Sequence, residues 1–502
     1  MTRAGSPLLN EDRFFDAEPS VRRTARDLYA ETRALPIVSP HGHVDPRLLA
    51  DDTPFADPTA LIVAPDHYIL RMLHARGVPL EHLGVPSRDG TPVETDPRTI
   101  WRLFAAHAGV FRGTPTGAWL DYELHEVFGV HERPSGESAT RIYDELVEKL
   151  ASPEFRPRAL FERFGIEILA TTDAASDPLD HHAALRRSAW IGGERVIPTF
   201  RPDALFRTAS PRWRGELAAL ERVTGTAIDS CAAFLLALEG RRAAFKRMGA
   251  TATDHGVLEP NTEPLPAAEA ERVFQRARAG DSTPADQRRF EAHLLMEMAG
   301  MSVRDGLVMQ LHAGSLRDHN RQLAERFGPD VGGDIPIATE FTRNLRPLLN
   351  AHGNDARLTL ILFTLDESTY SRELAPLAGH YPAVRLGAPW WFHDSIDGMT
   401  RFRERTTETA GIDKTAGFTD DTRAFCSIPA RHDLARRVDA NWLARLVSRH
   451  ILDMADARAW ARALAYDLAR SAYRIAGDQG ARVPDERARV GNDPSMPRAR
   501  GI

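Results

Sequence analysis

The sequence predicts an α/β fold: a (β/α)8 barrel of the TIM type, with a large helical insertion directly after its first strand. Three observations predict it. Short apolar runs alternate with amphipathic helical segments, eight runs in all, and strands that alternate with helices pair in parallel through crossover connections. Residues 46–160, after the first run, carry only helical and loop signals. Nearly every run ends in a reactive side chain, and a parallel barrel gathers strand ends of one sense on one face. A doubly wound open sheet is the alternative arrangement of the same alternation.

Residues 1–17 read as a loose lead-in. Ser20 can cap a helix that carries Val21, Ala25, Leu28 and Tyr29 on one face and ends before Pro36. Ile37 and Val38 end a short buried strand, and His41 and His43 follow as it runs out. Side chains two apart in extended chain point to one side, so the two imidazoles converge, with Gly42 leaving the space between them open. Converging neutral imidazoles suit a borderline divalent metal such as zinc, although a chance His-x-His is common in a chain with 19 histidines. The later runs begin near residues 166, 195, 249, 307, 358, 383 and 415. A segment rich in Ala, Glu and Arg, about 259–300, reads as a second helical insertion. Residues 478–502 are dense in Arg, Pro, Asp and Gly and read as a disordered tail, leaving 1–477 as one domain.

Composition narrows the class. The chain has 502 residues, 42% of them apolar, which supports a large core and excludes wholesale disorder. Its net charge of −6 is not gathered into blocks, so no nucleic-acid surface is expected. Two cysteines, Cys231 and Cys426, give no disulfide framework and fit a reducing cytoplasm. Met1 leads into no apolar signal-peptide core, and no apolar run approaches the roughly 20 residues that span a bilayer. A cytoplasmic protein without membrane partners is expected.

The run ends carry the chemistry: His41 and His43, Thr172-Asp173, Arg201, Asp254-His255, His312, Trp390-Trp391, and Asp421 with Arg423. Random placement would scatter polar groups through the strands as well. The pattern points to a metal-assisted active site built from several strands. Bland readings stand beside it. Tyr68 can be an ordinary helix tyrosine, Thr172-Asp173 a helix cap, Trp390 and Trp391 pocket wall, and His432 a decoration of a helix start. Asp397 and His319 read as structural.

Ordered stretches run through the chain: His41-Gly-His43, residues 66–78, Thr171–Asp173, 197–203, Asp254–Gly256, 309–320, 390–394, Asp397–Met399, 421–427 and Arg431-His432. On these the chain resembles the uronate (glucuronate) isomerase family of the amidohydrolase superfamily, from about residue 12 to about 475. The resemblance implies an aldose–ketose isomerase interconverting D-glucuronate with D-fructuronate, and D-galacturonate with D-tagaturonate. It implies His41, His43 and Asp421 as metal ligands, with His312 as a further ligand or a substrate contact. Tyr68 and Arg423 fall where the family places proton transfer, with Asp421 and Asp254 as alternative bases, the former weakened by its commitment to the metal. His67, Arg201, Asp254, Trp390 and His432 are the expected substrate contacts.

Independent chemistry agrees with that set. An isomerase moves a proton between adjacent carbons, stabilises an enediolate and holds the C6 carboxylate. A bidentate guanidinium suits the carboxylate, and Arg201 is the choice because it follows a strand and Pro202 stiffens its backbone. A guanidinium beside Tyr68 would favour its phenolate as the base. Superfamily hydrolases that hold two metals usually carry a histidine after the sixth strand and a bridging lysine on the fourth; here the sixth run ends at Asp366 and the fourth at Asp254, so the resemblance implies one divalent ion, zinc, and not two. Three departures stand out from the family pattern: Gly42, the longer loop at 174–176, and Ile428-Pro429-Ala430 before Arg431. The alternatives are a mononuclear amidohydrolase acting on a small ester, lactone or amide, and a catalytically dead sugar-acid sensor. A homo-oligomer is compatible with the sequence, which leaves the preferred epimer open.

Overall fold

Every element between β1 (Ile37–Ser39) and β2 (Ile166–Ala170) is helical in the computed structural model, which describes residues 8–475. The expectation for residues 478–502 lies outside the described residues. The chain then forms β3 (Asp173–Ala174), β4 (Val196–Ile197), β5 (Phe200–Arg201), β6 (Ala252–Val257), β7 (Val308–Ala313), β8 (Ser315–Leu316), β9 (Ile335–Pro336), β10 (Leu360–Thr364) and β11 (Val384–Leu386). Helices Ala267–Ala279 and Pro284–Asp305 fill the connection between β6 and β7.

The closed (β/α)8 barrel expected from the alternation does not form. The parallel strands fall into a three-stranded sheet, β1–β2–β4, and a six-stranded sheet, β3–β5–β6–β7–β10–β11. β8 and β9 make a separate antiparallel pair. Helix takes 55% of the residues and strand only 8%, so the strands are too short to make a continuous wall. Two breaks have local causes. Between the second and third runs the hydrogen bonds continue past Pro198, but Pro198 has no N–H to offer β6 on its other side, and β6 meets the third run only at Phe200. In the eighth expected run, Thr415 makes one isolated bridge to Leu386 and Gly417 then turns the chain at φ +76. A Cβ at Gly417 would lie 2.7 Å from the Ala469 nitrogen, so the backbone there packs directly on a helix instead of pairing. Strand order rises in both sheets without reversal, so the doubly wound alternative does not form either.

What the sheets do provide is register. β7 sets His312 opposite Gly256 on one side and Phe363 on the other. Asp254 shares a sheet face with Gly256, two residues on, and so comes within reach of His312. The helix Ile428–Ser448 is buried along most of its length and packs on the helix Pro19–Thr32. Buried on all sides, it carries charges that must be paired: Arg431 with Asp394, His432 with Asp420, and Asp439 with Arg403. The first helix is capped by Glu18, whose carboxylate accepts from the Ser20 and Val21 N–H groups, and not by Ser20.

Candidate active site

The loop after β1 and the loop after Gly417 meet at the strand ends. The His43 N–H donates to the Thr422 carbonyl at 2.9 Å, which places Asp421 beside the histidine pair. Nε2 of His43 lies 3.0 Å and Nε2 of His41 3.4 Å from the same oxygen, Asp421 Oδ1. Asp421 is held there at φ +40, a left-handed conformation uncommon for a side chain other than glycine or asparagine. Burial works to raise its pKa, but the two imidazoles outweigh it and keep the carboxylate well below its usual range.

A second group adjoins the first. His312 Nδ1 lies 2.7 Å from Asp254 Oδ1, and its ring stacks 4.8 Å from His41 and 4.0 Å from Phe363. Trp390 closes its edge at 4.8 Å. With Nδ1 committed to Asp254, His312 Nε2 is buried without a protein partner. Burial disfavours charge on Asp254, yet Arg201, His312 and His41 together hold it well below the usual carboxylate range.

The donor set fits a divalent ion. His41, His43 and Asp421 offer ligand atoms within 4.8 Å of one another, as do His41, Asp254 and His312. In the first set two imidazole nitrogens converge on one buried carboxylate oxygen that accepts no well-formed hydrogen bond, the arrangement a shared cation would satisfy. In the second, the Asp254 oxygens are already engaged by His312 and by Arg201 at 3.4 Å. Two imidazoles and a carboxylate are borderline donors suited to such a metal.

Around this centre a pocket is lined by His43, His67, Tyr68, Arg317, Trp390, Trp391, Asp421 and Arg423 among others. Asp66 caps the helix His67–His74, its Oδ1 accepting from the Tyr68 N–H at 2.8 Å, so Tyr68 projects from the first turn. The Tyr68 hydroxyl donates to the Trp391 carbonyl at 3.2 Å. Arg423 reaches His67 Nε2 at 3.2 Å and Asp330 at 3.1 Å. Burial, reinforced by Arg423, holds the His67 pKa down to about 4, so it is neutral.

Several expectations are revised by this geometry. The guanidinium against Tyr68 belongs to Arg431, 5.3 Å from the ring centre, and not to Arg423. Burial wins over it: the Tyr68 phenol is pushed well above its ordinary pKa, with Arg431 opposing the shift. A resting phenolate is therefore excluded near neutral pH. Arg201 is not on the pocket wall but lies between Asp203, at 2.8 Å, and Asp254. A Cβ on Gly256 would come within 2.9 Å of its guanidinium, so a larger residue there would have to push the Arg201 and Asp203 side-chain ends aside. His432 is buried behind the site, bonded to Asp420 Oδ2 at 3.0 Å and edge-on to Phe418. Thr172 donates to the Gly42 carbonyl and Asp173 sits with Thr171 and His182, outside the pocket.

Arg317, Asp330 and Arg431 line the pocket but were not singled out in the sequence. Arg317 and Arg431 lay within stretches that carried the family resemblance. Asp330 gave no signal, since it sits in the connection between β8 and β9.

The sequence model of the glucuronate isomerase family matches residues 12–472. The chain is 56% identical over 470 residues to a uronate isomerase of Nostoc punctiforme, covering 93% of this chain and 99% of that one. It is 55% identical over 470 residues to a uronate isomerase of Rhizorhabdus wittichii, covering 93% and 98%. Its structure superposes on the crystal structure of glucuronate isomerase from Caulobacter crescentus with a TM-score of 0.91 at 50% identity, covering 94% and 98% of the two chains. The chain belongs to the glucuronate isomerase family.

Proposed function

We propose that this chain interconverts D-glucuronate with D-fructuronate, and D-galacturonate with D-tagaturonate, by proton transfer between C2 and C1 through an enediolate. The observation that carries the reading is that a phenol, two guanidiniums and the His41–His43–Asp421 cluster face one pocket. These are the groups an aldose–ketose isomerisation of a sugar acid needs. His41, His43 and Asp421 would hold one divalent ion, zinc by donor chemistry, with His312 Nε2 on the adjoining side. Bound there, the ion would act as a Lewis acid toward the sugar's carbonyl oxygen.

The chain's own groups take the remaining roles. Tyr68 stays protonated, so its hydroxyl is a proton donor to the enediolate oxygen rather than the base. Its bond to the Trp391 carbonyl is long at 3.2 Å, which leaves the hydroxyl free to turn to a substrate oxygen. Asp421, the carboxylate on the pocket wall, is the base for the C2 proton. Its low basicity is tolerable because a polarised carbonyl acidifies that proton. Arg423 faces the same oxygens, with His67 and Asp330 fixing its fork. Arg317, one-third exposed and stacked 5.6 Å over Trp391, is placed to take the C6 carboxylate. Arg201 instead balances Asp254 and Asp203.

Proton NMR of glucuronate and of galacturonate incubated with the enzyme in D2O, with and without chelator, tests the reading. Ketose should appear, with deuterium at C1 wherever the carried proton exchanges with solvent. No turnover of either hexuronate, with hydrolysis of esters or lactones instead, would sink it.

A further inference from the structure

The pair Arg431-His432 lies in the first turns of the long buried helix Ile428–Ser448, and both side chains, Arg431 at the pocket wall included, are committed to protein partners. Arg431 is 1% exposed. Its Nη1 donates to Asp394 Oδ2 at 2.8 Å and to the Asp420 carbonyl at 3.3 Å, and its Nε donates to Ser427 Oγ at 3.2 Å. The guanidinium lies 3.7 Å over the indole of Trp119, whose ring in turn meets Tyr68 edge-on at 5.3 Å. Tyr68 is thus enclosed: Asp66 holds its backbone, Trp119 its ring edge, and Arg431 lies against its face.

The contact with the Asp420 carbonyl extends this hold to the other side of the site. That carbonyl belongs to the peptide leading into Asp421, the residue held at φ +40. His432 grips the side chain of the same Asp420. One helical turn therefore fixes both the peptide before the candidate ligand carboxylate and the face of the candidate proton donor.

We propose that Arg431 is a positioning residue for the isomerisation, holding the Tyr68 phenol at a fixed spacing from the Asp420–Asp421 peptide, with Asp394 as its counter-ion. The inference rests on the proton-transfer reading above. Arg431 acts through Tyr68 and does not touch the sugar. Burial of a charged fork for this purpose also explains why an arginine and not an apolar residue occupies the start of a helix buried on all sides. A methionine would fill the space without holding either partner.

A double-mutant cycle with metal analysis tests it. Arg431→Met should lower kcat on the preferred hexuronate by roughly 10²-fold, within the range of a lost acid or base, while KM moves less than about threefold. The double variant Arg431→Met/Tyr68→Phe should be slower than Tyr68→Phe alone by far less than the loss in Arg431→Met, because without Tyr68 only the hold on the Asp420–Asp421 peptide is left to lose. Metal content should match that of the wild type. Additive losses, a large rise in KM with kcat kept, or loss of metal would each overturn the proposal. If the methionine variant fails to fold, Arg431→Lys runs the same cycle, keeping the charge but not the fork. A wild type that turns over no hexuronate defeats the functional reading itself; a working wild type with an additive cycle defeats only this inference.

Discussion

Tyr68 shows how burial decides a residue's role. A guanidinium lies against it, yet desolvation dominates and keeps the phenol protonated. Tyr68→Phe should therefore lose about 10² to 10⁴ in kcat while keeping its metal, as for loss of a positioned acid. A phenylalanine variant with near-normal kcat, measured by a coupled or NMR assay, removes Tyr68 from the reaction. The arginines separate by their partners. Arg317→Met should raise KM, since a charge-assisted contact to a carboxylate is worth roughly 2–4 kcal/mol, and should also lower the melting temperature, because it leaves the buried Asp334, paired to Arg317 Nη1 at 2.6 Å, with only the Asp318 N–H. Arg201→Met removes the cation between two buried carboxylates, leaving Asp254 with His312 and Asp203 with the Gly256 N–H, a loss of about 3–5 kcal/mol for a broken buried pair, so melting temperature and kcat should both fall. Michaelis profiles of the two variants side by side tell clamp from support. A rise in KM confined to Arg201→Met would exchange their roles.

At the scale of elements, the helical segment between β1 and β2 has its own pH sensitivity. Glu123 is buried, and burial, reinforced by Asp66, pushes its pKa from 4.5 to about 8. The folded state therefore binds a proton that the unfolded state has released. Its contribution is fully present below the ordinary glutamate range and is lost as pH rises through about 8, a change on the order of a few kcal/mol. Glu123→Gln should flatten the fall in melting temperature between about pH 5 and pH 9, read by calorimetry. Equal slopes for variant and wild type would show that Glu123 is not the group that titrates.

Across the whole molecule, the inserted helices share a core with the three-stranded sheet. Leu61, Phe104 and Leu146 pack in a single cluster with Ile166, Leu169 and Val196 of β2 and β4. We expect one cooperative thermal transition, because no apolar boundary separates the insertion from the strands. Chelation should shift that transition down, since a ligand bound only by the folded state stabilises it by mass action. Two resolved transitions in calorimetry would show instead that the insertion is a separate unit. Among the described residues no helix is long and apolar enough to cross a membrane.

The sequence by itself determined the chemistry at the strand ends. His41, His43, Asp254, His312 and Asp421 do come together: the first two follow β1, Asp254 and His312 lie in β6 and β7, and Asp421 follows the single parallel bridge at Thr415. Alternation does not determine closure. That depended on Pro198, which cannot donate toward β6, and on Gly417, which turns the eighth run onto a helix; both effects depend on which neighbour lies across the gap. Nor could spacing show that Arg431 and not Arg423 lies against Tyr68, or that Arg201 is already held by two carboxylates. Charge–charge and desolvation energies depend on separation and burial in three dimensions, and the partners here lie up to hundreds of residues apart in sequence. Only the folded chain sets those distances, and with them the protonation state of Tyr68.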